Sequence, residues 1–240
     1  MNDVTLICCF NDINQFNELK ASIKEQNADI VLLGIDNRNS DYKSCSSAYN
    51  TCLKQVKTDI VIFIHQDVLF IENNTVSTIV DSIRHISGDD LVGVAGTKFN
   101  EKRNLTNIVH DTSLYPAGKK IPEGLTECDT LDECLFGGYT SFFIKNPFDE
   151  KLCNGWHLYC ADRCLDTKSR GNHVYICGVK LIHKSKGFTD QKFNDTFYLL
   201  CKKYRSYYPK LRTTCGESYT DPVRLNMWYL YIEIKLVYRL

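Results

Sequence analysis

Residues 59–68 read Asp-Ile-Val-Ile-Phe-Ile-His-Gln-Asp-Val (DIVIFIHQDV). A short, unbroken apolar run that stops on polar residues is the pattern of a strand buried on both faces. This one ends at His65, Gln66 and Asp67, three side chains able to meet charge. In parallel α/β sheets, ligands bind outside the carboxyl ends of the strands. The stretch therefore decides the architecture and says where its chemistry should sit.

Working outward, Val4–Phe10 (VTLICCF) and residues 30–35 (IVLLGI) repeat the same signature, the first ending at Asn11-Asp12 and the second at Asp36-Asn37-Arg38. Between them Phe16, Leu19 and Ile23 recur at helical spacing over residues 14–26. Residues 45–56 and 75–86 predict two more helices, and residues 91–95 a fourth strand. Such alternation implies an α/β fold with a mostly parallel central sheet and helices on both faces. The rhythm breaks over residues 97–130, a polar stretch with Pro116, Gly118, Pro122 and Gly124, of the kind that forms a flap or acceptor-side loop. Strand character resumes at residues 140–144. A helix over 157–170 closes at Gly171, short strands follow at 174–177 and 180–183, and a helix over 195–208 stops at Pro209. Residues 228–240 alternate like a strand but have the length of a helix, and both readings stand. The expected division is a domain over 1–190 and a basic, aromatic extension over 191–240.

The 240 residues are 43% hydrophobic and 24% charged, with a formal net charge of zero, so bulk charge names no partner. Its distribution is uneven: residues 168–240 hold fourteen Lys/Arg against five Asp/Glu. A basic end on an acidic body points to an anionic surface or acceptor, or to cations that merely solvate helices. Twelve cysteines fall mostly at apolar positions, with no cationic leader before the first strand. They read as small buried hydrophobes in a reducing, cytoplasmic compartment. No CxxC pair occurs; His157, Cys160 and Cys164 share a helical spacing but lack a fourth zinc ligand. No apolar run approaches the ~20 residues of a membrane span.

Taken singly, the polar strand ends leave two readings each. Asp67 is placed to hold a divalent cation bridging a diphosphate, or to cap a turn. Asp162, entering a helix, is a general base or a residue favoured by the helix dipole. His183 ends a short strand as a ligand or as packing. No G-x-x-x-x-G-K-[ST] or G-x-G-x-x-G motif is present, which excludes a P-loop enzyme and an ordinary dehydrogenase.

In order and context these segments resemble the GT-A glycosyltransferases of family two, in particular a bacterial glycosyltransferase-like subset in which HQD replaces DxD. The resemblance covers about residues 4–187. It rests on Asn11 after the first strand, Ile35-Asp36-Asn37-Arg38, Ser47-Ala48-Tyr49-Asn50 and Ile62 to Val68. Further on it rests on Thr130-Leu131-Asp132-Glu133, Phe148-Asp149-Glu150, Gly155-Trp156-His157-Leu158-Tyr159, Asp162 and Ile182-His183.

The resemblance implies roles by position. Phe10, Asn11, Asp36, Arg38, Asn50, His65, Gln66, Asp132 and Trp156 would surround the nucleotide sugar. Asp67 and His183 would hold Mn²⁺ or Mg²⁺, and Asp162 would be the base of an inverting displacement. Two departures stand out: His65 replaces the first carboxylate of DxD, and Cys160 stands where relatives carry an additional Asp.

The partners that the resemblance implies are a nucleotide-sugar donor, UDP-linked, and a saccharide or lipid-linked acceptor of cell-surface polysaccharide synthesis. A non-catalytic nucleotide- or sugar-binding module and a sugar-1-phosphate nucleotidyltransferase are the competing readings. The latter needs a Gly-rich, cationic loop that Asn11-Asp12-Ile13-Asn14-Gln15 does not supply. Residues 198–212 (YLLCKKYRSYYPKLR) interleave cations with aromatics, as in peripheral contact with an anionic membrane face. No motif supports nucleic acid as the partner.

Overall fold

The computed structural model describes residues 3–110, 115–184 and 189–238. The opening follows the predicted alternation: β1 (Val4–Phe10), α1 (Ile13–Lys24), β2 (Ile30–Asp36), α2 (Cys45–Leu53) and β3 (Ile60–Ile64). Asp12 caps α1 by accepting from the Asn14 and Gln15 amides, and Ser44 caps α2 by accepting from Ser47. Next come β4 (Val68–Phe70), α3 (Thr75–Arg84), β5 (Leu91–Gly93) and β6 (Ala95–Thr97). The single strand expected over 91–95 is thus two strands, which part at Val94 into different sheets.

The polar stretch is pleated rather than bare. It holds β7 (Leu105–Thr106), β8 (Val109–His110), β9 (Tyr115–Pro116), β10 (Leu125–Glu127) and β11 (Thr130–Leu131). Then follow β12 (Leu135–Tyr139), α4 (Thr140–Lys145), α5 (Tyr159–Ser169), β13 (Val174–Cys177) and β14 (Leu181–His183). The last elements are α6 (Gln191–Tyr204), a hairpin of β15 (Lys210–Arg212) and β16 (Glu217–Tyr219), and α7 (Pro222–Tyr238). The ambiguous tail is therefore a helix as far as Tyr238, the rest lying outside the described residues.

One expectation fails outright. Residues 140–144 are helical, and the strand lies just before them on Leu-Phe-Gly-Gly-Tyr. Glycine hid it: strand interiors disfavour Gly, yet a Cβ on Gly137 would stand 2.3 Å from the Val61 carbonyl oxygen of the neighbouring β3. The β-prone Thr-Ser-Phe-Phe-Ile goes helical because that places Phe142 and Phe143 in the core.

The central sheet has seven strands in the order β10-β13-β5-β12-β3-β1-β2. Five run in one direction; β12 and β10 run against them. Helices α1 and α3 cover one face, with Leu19, Ile23, Val76, Ile79 and Ile83 in its core. Helices α2, α4 and α5 cover the other, around Tyr49, Phe63, Phe136, Phe143, Phe148 and Tyr159. Phe63 lies 4.7 to 5.1 Å, centroid to centroid, from four of these rings. A third apolar cluster joins Leu158, Ala161 and Leu165 of the α5 region to Phe193, Phe197, Leu200 and Leu225.

All twelve cysteines are free, ten of them buried. Burial pushes the Cys9 and Cys201 thiols up to about 12, as expected of thiols used as packing. Gly171, at φ 86°, follows α5 in the left-handed conformation that ends helices.

Candidate functional site

Three side chains converge just past the end of β3. His65, Asp67 and His183 each offer one ligating atom, and these lie within 4.8 Å of one another. Strand pairing brings them together. β4 begins directly after Asp67 and pairs antiparallel with β14, which sets His183 opposite Val68. The Lys184 amide donates to the Asp67 carbonyl at 3.1 Å and holds that register. His183 Nε2 stands 3.3 Å from Asp67 Oδ1, off line for a hydrogen bond. That buried nitrogen has no hydrogen-bond partner among the described residues. Buried polar nitrogens are rarely left so, and this arrangement is what a cation would complete.

The charges agree. Burial alone would lift the Asp67 carboxyl, but His183 and His65 more than offset it and hold it below its ordinary value. Burial would lower His183, yet Asp67 and Asp132 carry it above the usual imidazole range. His65 is held down by burial first and by His183 second. Asp67 is thus held ionised and His65 neutral, as ligation needs, and a cation would have to displace the proton that Asp67 and Asp132 favour on His183.

Neighbouring elements fix this turn. Gln66 Oε1 accepts from the Asn11 and Asp12 amides at 2.9 and 3.0 Å, and its Nε2 donates to Asn11 Oδ1 at 2.8 Å. One glutamine thereby ties the end of β1 to the end of β3. The Tyr159 hydroxyl lies 3.3 Å from His65 Nε2, and Phe10 is stacked on Phe16 at 4.1 Å. A cleft of about 280 Å³ opens here, lined by Phe10, Asn11, Asn37, His65, Gln66, Asp67, Trp156 and His157 among others. A larger hollow of about 660 Å³ around Lys57, Asp59 and Arg84 lies at the opposite ends of the strands and, among the described residues, contains no ligating cluster.

The structure therefore gathers Phe10, Asn11, His65, Gln66, Asp67, Trp156 and His183 at one place. Five other expected residues do not line the cleft. Asp36 and Arg38 pair with each other at 2.6 Å on the rim, and Asn37 between them faces the cleft instead. The Asn50 amide is consumed: it donates to the Phe148 carbonyl and Glu150 and accepts from the Phe148 amide. Asp132 accepts from the Cys134 amide at 2.9 Å and the Thr214 hydroxyl at 2.5 Å, and it acts on His65 and His183 through its charge.

Asp162 departs furthest from its expected role. Its side chain is 2% exposed. Its Oδ1 accepts from Lys203 at 2.7 Å and from the Tyr204 hydroxyl at 2.9 Å. The carboxylate faces α6 and does not line the cleft. The zinc pattern weighed for His157, Cys160 and Cys164 also dissolves: the two sulfurs meet each other at 3.9 Å, and His157 turns to the cleft.

A family model described as "Glycosyltransferase like family" matches residues 5–198. The chain belongs to that family. Similarity at 27% identity extends over 186 residues of the "ATP synthase subunits region ORF 6" protein of Fuscovulum blasticum, covering 74% of this chain and 72% of that protein. Among solved structures, S. aureus TarS superposes with a TM-score of 0.54 at 13% identity, over 86% of this chain and 40% of TarS. TarS 1-349 in complex with UDP-GlcNAc gives 0.54 at 14%, over 84% and 66%. GalNAc-T7 with UDP, GalNAc and Mn²⁺ gives 0.52 at 9%, over 86% and 51%. At such identities the likeness establishes the fold, the GT-A fold expected from the sequence. The chain spans between 40% and 66% of the length of these structures.

Sequence reasoning missed Asn37, Tyr159, His157 and Glu133 as contributors. Asn37 and His157 lay inside segments singled out for other residues. Nothing in spacing reveals that Glu133 is mostly buried beside His157, at 3.8 Å from carboxylate to Nδ1.

Proposed function

We propose that the chain transfers a sugar from a nucleoside-diphosphate sugar, UDP-linked, to an acceptor hydroxyl by a single inverting displacement, with a divalent cation at His65, Asp67 and His183. The observation that carries this is the three-ligand cluster itself, set at the carboxyl ends of β1 and β3 in a GT-A fold. Two imidazoles and a carboxylate favour Mn²⁺ over Mg²⁺, which prefers an all-oxygen shell. When bound, the ion supplies positive charge against the departing diphosphate. The protein's own groups do the rest. Phe10, Asn11 and Asn37 offer an apolar wall and amides to a nucleoside, Gln66 braces the strand ends, and exposed Trp156 offers a ring face to a sugar.

The acceptor is a saccharide or lipid-linked hydroxyl. Contact with an anionic membrane face draws support from the exposed apolar stripe on α7 (Val223, Met227, Leu230, Tyr231, Ile234). Co-sedimentation with anionic liposomes checks it, and protein left in the supernatant removes it. The sequestration of Asp162 favours the competing reading, a binding module without turnover.

One experiment separates the two. UDP release from a panel of UDP-sugars is measured with MnCl₂ and with EDTA. Manganese-dependent release supports the transferase. Binding of UDP with no release from any donor supports the module.

A further inference from the structure

With Asp162 bonded to Lys203 and Tyr204, the cleft contains another candidate for the base, one to which the resemblance assigned no such role. His157 lines the same cleft as His65, Asp67 and Trp156 and is about one-third exposed, with its side chain at 32%. Its Nδ1 faces Glu133 Oε2 at 3.8 Å. Glu133 sits in the turn between β11 and β12, and its other oxygen, Oε1, is buried with no hydrogen-bond partner among the described residues. Burial raises the Glu133 carboxyl, and His157 and the Leu158 amide pull it back, so the imidazole is the cationic partner that its ionised form meets.

The backbone beside the imidazole is also unusual. Leu158, the residue between His157 and Tyr159, has φ 70° and ψ 1°. That left-handed conformation is unfavourable for a bulky side chain and persists where surroundings over-determine it, often at working sites. Here Leu158 is buried in the cluster joining α5 and α6. The Phe193 ring meets the imidazole edge-on at 5.8 Å and limits its tilt.

We propose that His157 is the base that deprotonates the acceptor and that Glu133 positions it and balances its charge. This rests on the transferase reading above. Neutral His157 donates its Nδ1 hydrogen toward Glu133 and turns Nε2, which has no hydrogen-bond partner among the described residues, to the acceptor. The acceptor O–H bond breaks and its proton passes to Nε2 as the oxygen forms its bond to the anomeric carbon. The bond from that carbon to the phosphate oxygen breaks, and its electron pair leaves on the nucleoside diphosphate. The imidazolium, paired with Glu133, later loses its proton to water. Atoms and charge balance without a co-reactant.

The groups around His157 set the pH response. Glu133 raises it, burial opposes, and Asp190 at the start of α6 and Asp132 add to Glu133; His65 faces it from the metal side. Only the unprotonated ring accepts a proton. Turnover therefore falls as pH drops through a value above the ordinary imidazole one.

The test uses the full chain with MnCl₂ and the UDP-sugar that gives the fastest UDP release, water serving as acceptor. His157→Gln is expected to cut kcat by ~10²- to 10⁴-fold and to erase the acid limb. The Mn²⁺-dependent thermal shift with UDP should survive. Glu133→Gln is expected to move the acid limb to lower pH while lowering its plateau, which a packing role would not do. If His157→Gln keeps kcat within threefold with the limb in place, while the wild type turns over, the assignment fails and the transferase reading stands. If the wild type releases no UDP from any donor, both fall together.

Discussion

Replacing Asp162 by asparagine puts the structural account of that residue at risk. The carboxylate holds Lys203 at 2.7 Å and Tyr204 at 2.9 Å. An amide oxygen keeps the tyrosine bond and turns the charge-assisted one into an ordinary one. That change is worth ~1–2 kcal/mol when fully buried. Lys203 is 38% exposed and has Asp149 as a second partner at 3.4 Å, so solvent screening brings the figure to about 1 kcal/mol. For a chain of this size that lowers the melting temperature by ~2–4 °C.

The sign with pH follows from Lys203. Burial pulls its ammonium down, but Asp162 and Asp149 carry it above 10.5. A raised folded value means the contribution is complete below 10.5 and lost only as pH climbs through the folded value. The difference in melting temperature between wild type and variant should therefore be flat from about pH 6 to 9. Differential scanning fluorimetry measures the shift, and UDP release measures turnover, expected within a few-fold of wild type. A turnover loss of ~10²-fold or more with an unchanged melting temperature would restore Asp162 as the base and refute the reasoning.

Asp67→Asn should abolish the Mn²⁺-dependent thermal shift seen with UDP, and isothermal titration with MnCl₂ alone should lose its signal. Gln66→Ala leaves the Asn11 and Asp12 amides without their acceptor, costs ~1–2 kcal/mol in urea unfolding, and raises the donor KM more than it lowers kcat. With a disulfide reagent at pH 8, Cys215, exposed although held up to about 11 by partial burial, should react first. Cys215→Ser should remove that phase, and the remaining thiols should react on unfolding.

Much of the chain is legible without coordinates because buried strands announce themselves. Val4–Phe10 is apolar but for Thr5, Ile60–Ile64 is apolar throughout, and both appear where expected. So does the stop at Gly171. The failures have physical causes. Gly137 and Gly138 conceal β12, since the close approach to β3 outweighs strand propensity. At the site, Asp67 and His183 were readable as polar residues at strand ends, though only the β4–β14 pairing makes them neighbours. Asp162 was not readable, because its partners lie some forty positions later on α6 and no local pattern encodes which way a carboxylate faces. His157 was hidden for the same reason, through Glu133.

The packing of residues 191–238 on the body has a consequence for how the protein is made. Thr214 supplies a hydroxyl to Asp132, Arg212 supplies a carbonyl to Thr97 and Thr130, and α6 closes over Asp162 and Leu158. A ribosome delivers these segments after the body they pack on, at ~5–20 residues per second, so the nascent chain holds an apolar flank and an unpaired acid in waiting. A polypeptide cut short near residue 190 would keep that flank bare, and quality-control proteases would meet it before any substrate did.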